Sequence, residues 1–146
     1  MSGFIVSEEP LPSGEFGYCS YNKQIVISDS LGDTQKLATL NHEFAHGLLH
    51  LASDLPSAVE EFEAESVALI MQQRLGLPVE DLTVRYVKNA LREAGNLPEF
   101  SMEESLGRIV KQANYVCDRL ELQQLQQQEV MPVQNQAPVK QAQPNF

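Results

Sequence analysis

The sequence is poor in several residue types that define common protein classes. It contains no tryptophan, two cysteines and three histidines among 146 residues. Cys19 and Cys117 lack the CxxC spacing of a metal or redox pair, so we expect two structural thiols and no disulfide. No apolar run approaches the ~18 residues that a membrane-spanning helix needs. These absences exclude a disulfide-rich scaffold and a membrane protein.

Basic residues are also scarce. Ten lysines and arginines face twenty acidic residues, which gives a formal net charge of -10. Such a surface repels nucleic-acid phosphates, and the sequence has no local basic patch to offset the repulsion. We therefore expect no direct nucleic-acid binding, and we interpret the acidity mainly as a source of solubility. The N-terminus lacks the basic region of a secretory signal, which favours a cytoplasmic protein.

The remaining pattern predicts one α+β domain followed by a tail. Two β-prone runs, residues 18–21 and 24–28, predict a hairpin with a turn at Asn22-Lys23. Apolar residues at three- and four-residue steps, together with capping signals, predict four helices: residues 34–52, 57–75, 82–94 and a long helix that begins at a capping box at 101. We assign residues 1–122 to the domain. Residues 123–146 are rich in Gln and Pro and are expected to be disordered.

All three histidines lie in the first predicted helix, in the stretch LNHEFAHGLLHL. His42 and His46 are four residues apart, so they share one helix face and can bind the same ion. Glu43 lies beside them, where a carboxylate can reach a metal-bound water. This is the HExxH arrangement, in which the metal lowers the pKa of water and the glutamate accepts its proton. The motif predicts one zinc ion per chain with an open coordination position.

The third metal ligand is expected on the second helix. His50 is disfavoured as that ligand because it stands roughly 12 Å along the helix axis from His42, so it is expected to be a structural histidine or one at the rim of the cleft. Glu60 is assigned to a capping box with Ser57. Glu61 and Glu65 share one face of the helix, so either carboxylate can be the ligand while the other orients a histidine. We assign Glu61 to the metal and Glu65 to the supporting role, with the reverse assignment left open.

The pattern LNHEFAHGLLH followed by EFEAESVALI resembles the zincin-like metallopeptidases of the ImmA/IrrE type, and the related metallopeptidase domain of ArdC-like antirestriction proteins. The upstream GYCSYNKQIVIS is similar to the hairpin that precedes the active-site helix in these domains. The resemblance implies a small zincin-like α+β domain with one zinc ion. It also supports Glu61 as the ligand, with Glu65 in the supporting position.

The resemblance further implies an endopeptidase whose substrate is a partner protein, with a DNA-binding repressor of a mobile element or stress circuit as the candidate. We therefore expect a zinc metallopeptidase with Glu43 as its catalytic base and acid. The alternative is a zincin-fold antirestriction or interaction module, in which the acidic surface is the working part and peptidase activity is weak or absent. A purely structural zinc site is disfavoured because it needs four protein ligands and no base.

Overall fold

The structure is a computed structural model that describes residues 3–79 and 81–130. Within these residues a small sheet precedes four helices, as the sequence predicts, so the α+β class is confirmed. The strands are β1 (Ile5–Glu9), β2 (Gly17–Cys19) and β3 (Gln24–Ser28). The helices are α1 (Asp33–Leu49), α2 (Ser57–Arg74), α3 (Asp81–Gly95) and α4 (Met102–Val130).

The sheet has the strand order β1-β3-β2. Strands β2 and β3 pair antiparallel, so the predicted hairpin is confirmed, and Lys23 in its turn has a positive φ of 62°. Strand β1 pairs parallel to β3 and was not predicted. Its sequence IVSEE lacks the alternation that identifies a half-buried strand, and both Ile5 and Val6 are at least half exposed. Pairing with β3 therefore specifies β1 more than its own residues do.

Helix α2 lies at the centre of the helical layer and packs against α1, α3 and α4. Apolar residues from all four helices bury this contact, and their removal from water is the main force that holds the layer together. The core consists of Ala45, Val59, Phe62, Ala64, Val67, Met71, Ala90, Ala94, Ile109, Val116 and Cys117. Because α2 is central, side chains on different faces of this one helix reach both α1 and α4.

Two glycines allow the sheet to approach α1 closely. A Cβ atom at Gly17 would lie 2.8 Å from the carbonyl oxygen of Val26 and 2.9 Å from Cγ2 of Thr39. A Cβ atom at Gly47 would overlap the ring of Phe4. Real Cβ atoms do not make such contacts, so both positions require glycine for steric reasons. The close approach places β2 directly beside the histidine-bearing face of α1.

The helix boundaries follow the sequence except at two places. Helix α1 ends three residues earlier than predicted, at Leu49. The capping box at Ser57 is wrong, because Pro56 is the N-cap residue of α2 and no side chain caps that end. The predicted cap of α4 is confirmed by a 3.3 Å hydrogen bond from the Glu104 amide to Ser101 Oγ. Gly76, with φ +69°, follows the end of α2 as expected.

Helix α4 continues past the predicted domain boundary to Val130, so the first eight residues of the expected tail are helical. Residues 121–129 are exposed on every face of this helix, including its two leucines, Leu122 and Leu125. The rest of the predicted tail, residues 131–146, lies outside the described residues. Among the described residues, no helix is both long and apolar enough to cross a membrane.

Candidate metal centre

Helix α1 presents His42 and His46 side by side over the interface with α2. Their imidazole rings meet edge to face with centroids 4.6 Å apart, and their Nε2 atoms are separated by 3.1 Å. The four-residue spacing predicts this arrangement, because residues i and i+4 lie one helical turn apart on the same face. Two nitrogen lone pairs can thus be directed at one point in front of α1.

Helix α2 contributes Glu61 to the same point. Its Oε1 lies 3.1 Å from Nε2 of His46, and its Oε2 lies 3.6 Å from Nε2 of His42. In a tetrahedral zinc site with bonds of about 2.0–2.1 Å, neighbouring ligand atoms stand about 3.3–3.4 Å apart. The three observed separations are close to this value, but the two that involve Glu61 use different oxygens; taken with one ligand atom from each residue, the three atoms lie within 4.8 Å of one another. His42, His46 and Glu61 therefore form a group of donors that fits a zinc ion.

Glu65 contacts the opposite edge of the His42 ring. Its Oε1 lies 3.2 Å from Nδ1 of His42. This distance is that of an ion pair, but its angle is not that of a hydrogen bond, so Nδ1 has no hydrogen-bond partner in the described part of the chain. A carboxylate behind the ring orients the histidine and makes its other nitrogen a better donor. The geometry thus favours Glu61 over Glu65 as the third ligand.

The ionisation of the site follows from partial burial among opposite charges. Burial lowers the pKa of His42, but Glu65 and then Glu43 and Glu61 outweigh it, so the net shift is upward. Burial raises the pKa of Glu43, and the positive field of His42 and His46 offsets only part of this rise. A hydrogen bond from His46 lowers the pKa of Glu61 against the effect of burial. The pKa of Glu61 is therefore shifted downward and the pKa of Glu43 upward, so Glu61 is the more readily ionised of the two carboxyl groups.

A second cluster of polar side chains lies directly behind His46. His50 is 8% exposed, and its Nδ1 lies 3.1 Å from Nδ1 of His46. Its Nε2 lies 3.1 Å from Oε2 of Glu63, which is fully buried. Ser105 and Arg108 of α4 both donate hydrogen bonds to Oε1 of Glu63, each at 2.8 Å. We call His50, Glu63, Ser105 and Arg108 the Glu63 network.

The structural role expected for His50 agrees with this position, but its partners were not predicted. Glu63 belongs to a run of four glutamates on α2, and such a run usually indicates a solvated face. The one available signal was its sequence context, since Glu63 stands between Phe62 and Ala64, both of which are buried. No local pattern connects Glu63 with Ser105 or Arg108, which are 42 and 45 residues away in the sequence.

The metal-ligand candidates face an open cleft. A cavity of about 740 Å³ is lined by His42, Glu43, Glu61 and Glu65 together with apolar side chains that include Phe16, Leu82 and Tyr86. A second cavity of about 330 Å³ adjoins the same three residues His42, Glu43 and Glu61 on the side of Tyr18, Cys19 and His50. Cavities of this size accommodate small ligands or the side chains of a bound peptide. A chain laid through both would pass in front of Glu43.

The fold and this site define the class of the protein: a small zincin-like domain with an HExxH helix. The family model Peptidase_M78, described as the IrrE N-terminal-like domain, matches residues 4–86. The match covers more than half of the chain, so the chain belongs to this family, whose name indicates a metallopeptidase-type function. No curated protein and no solved structure matched the chain. The matched residues include the three HExxH residues His42, Glu43 and His46 and also the expected third ligand, Glu61.

Proposed function

We propose that the protein is a zinc-dependent endopeptidase, with His42, His46 and Glu61 as the ligands of one zinc ion per chain. The proposal rests on the convergence of His42, His46 and Glu61, whose ligand atoms, one from each residue, lie within 4.8 Å of one another. Zinc held this way leaves a position for water and lowers the pKa of that water towards ~7. Family membership supports the same chemistry.

Glu43 is the proposed catalytic base and acid. It follows His42 on α1, is not part of the donor group and borders both cavities. Its raised pKa, caused first by burial, makes the carboxylate a stronger base than an exposed glutamate. In the proposed reaction Glu43 would accept a proton from the attacking water molecule as the water oxygen bonds to the peptide carbonyl carbon. It then donates that proton to the leaving amine as the C–N bond breaks.

The proposed substrate is an exposed segment of a partner protein. The two cavities flank Glu43 on opposite sides, so an extended segment can place side chains in each while its peptide bond lies at the centre. The larger cavity contains apolar walls, which favours a substrate with an apolar side chain on that side. A DNA-binding regulator of a mobile element or stress circuit remains the candidate, as the resemblance to the ImmA/IrrE type suggests.

The test compares wild type with Glu43→Gln in cells, with exposed Glu93 of α3 as the site of the matched control Glu93→Gln. New protein N-termini are identified by mass spectrometry, and candidate substrates are then cleaved with purified, zinc-loaded proteins. We expect cleavage by wild type and Glu93→Gln, and a loss of about 10²-fold or more in Glu43→Gln at equal zinc content. If zinc-loaded Glu43→Gln retains full biological activity, the proposal of an enzyme is wrong, and the alternative of an interaction module with an acidic surface is favoured.

A further inference from the structure

We propose that His50 is a positioning residue for His46, and that helix α4 contributes to the metal site by holding Glu63. The inference rests on the proposed zinc function of His46. It concerns the Glu63 network, which lies outside the donor group of His42, His46 and Glu61. Two members of the network, Ser105 and Arg108, also lie beyond the residues matched by the family model.

Glu63 is held as an ionised acceptor. The side chain is fully buried, and Oε1 receives hydrogen bonds from Ser105 Oγ and Arg108 Nε, with Arg108 Nη2 at 2.7 Å as well. A buried carboxylate is tolerated only when charge and hydrogen bonds compensate for lost hydration. The guanidinium group supplies that compensation. Oε2 is left free to accept one more hydrogen bond, and His50 is its partner.

The hydrogen-bonding roles of these groups then determine which nitrogen of each imidazole ring carries the proton. An ionised carboxylate only accepts hydrogen bonds, so Nε2 of His50 carries the proton shared with Glu63. In the neutral imidazole, Nδ1 of His50 is consequently an acceptor. Its partner at 3.1 Å is Nδ1 of His46, which must therefore be the donor. In a neutral His46 ring with its proton on Nδ1, the lone pair of Nε2 is available to a metal, which would take the place of the hydrogen bond that links this nitrogen to Glu61 in the metal-free site.

That lone pair is directed at the atoms of the donor group. Nε2 of His46 lies 3.1 Å from both Nε2 of His42 and Oε1 of Glu61. The network therefore selects the tautomer of His46 that can bind a metal and prevents the ring from turning away. His42 is supported differently, by the partly exposed Glu65. The support of His46 extends through α2 to Ser105 and Arg108 on α4.

The first experiment measures zinc affinity by competition with a chromophoric chelator. His50→Leu removes both hydrogen bonds and fills the position at the helix end with an apolar side chain. The amide of His50→Gln, in contrast, can donate a hydrogen bond to Glu63 and accept one from His46. We expect affinity to fall about 10–100-fold in His50→Leu and to recover largely in His50→Gln. Arg108→Met should also weaken binding, while Arg119→Met, at an exposed site on the same helix, should not. Thermal unfolding of each metal-free variant reports whether it is folded.

A spectroscopic measurement separates positioning from general stability. Long-range ¹H–¹⁵N correlation spectra of zinc-loaded wild type should show a proton on Nε2 and none on Nδ1 of His50, and a proton on Nδ1 of His46. A proton on Nδ1 of His50, or unchanged affinity in folded His50→Leu, overturns the inference. Unchanged affinity in Arg108→Met overturns the part assigned to α4. Failure of wild type itself to bind zinc overturns the proposed function instead, so the two failures are distinguishable.

Discussion

The assignment of Glu61 and Glu65 yields a quantitative prediction about zinc affinity. Glu61→Gln and Glu65→Gln both preserve side-chain shape and remove one negative charge, but only Glu61 faces Nε2 of both histidines, with Oε1 near His46 and Oε2 near His42. Four-ligand zinc sites bind with about 10–16 kcal/mol, which is about 3–4 kcal/mol for each ligand if the energy is shared evenly. Loss of one ligand is then expected to weaken binding about 10²–10³-fold, at about 1.4 kcal/mol per factor of ten.

Glu65→Gln should have a smaller effect. Glu65 contacts Nδ1 of His42, the ring nitrogen that faces away from the donor group, and loss of such an outer partner typically weakens binding about 10–100-fold. Zinc dissociation constants of both variants and of the exposed control Glu93→Gln would be measured by chelator competition at constant pH and ionic strength. The expected order of affinity is Glu93→Gln, equal to wild type, then Glu65→Gln, then Glu61→Gln.

The reverse order would refute the geometric reasoning. If Glu65→Gln lost more affinity than Glu61→Gln, then α2 would have to rotate or shift on metal binding so that Glu65 reaches the ion. If both variants equalled the control, neither carboxylate would be a ligand. Total zinc content at saturation, measured on the same samples, would show whether the stoichiometry remains one per chain in the weakened variants.

Two further predictions concern stability. Because burial raises the pKa of Glu43 in the folded protein, its ionisation opposes folding, and this cost is fully present above the folded-state pKa. Metal-free Glu43→Gln should therefore unfold at a higher temperature than metal-free wild type at pH 7. A thermal-unfolding series across pH should show this difference disappear below about 4.3, the ordinary pKa of an exposed glutamate. The second prediction concerns the end of α4. Because residues 121–129 are exposed on every face, truncation after Leu122 should leave both the zinc affinity and the denaturation midpoint unchanged. A clear fall in either quantity would place residues 123–146 within the domain.

The sequence predicted those parts of the fold and site that depend on local spacing. The four-residue interval of His42 and His46 fixes their relation on a helix, and the turn at Lys23 fixes the hairpin. Glu61 was assigned on a face shared with Glu65, and residue types alone left the two interchangeable. Only the packing of α1 on α2 distinguishes them, by directing one carboxylate at Nε2 and the other at Nδ1.

The sequence did not reveal features that arise from contacts between distant residues. Strand β1 has too short an apolar pattern to be recognised without β3 beside it. Glu63 resembles its exposed neighbours until α4 supplies Ser105 and Arg108. The predicted cap at Ser57 failed for a different reason: the helix begins at Ser57, so Pro56 is the N-cap residue, and proline has no side-chain oxygen to accept a hydrogen bond from the helix amides.

The packing of α1 on α2 also explains why the site favours a cation. It gathers the carboxylates Glu43, Glu61 and Glu65 around two imidazoles, and each carboxylate raises the pKa of His42. Without a cation, mutual repulsion of the carboxylates opposes the helix contact, and protons on the histidines are the nearby source of positive charge. A divalent ion held by His42, His46 and Glu61 would supply that charge and leave the imidazoles neutral. The apolar core beneath holds the helices together with or without the ion, so the fold imposes the repulsion between the carboxylates and a bound cation would reduce it.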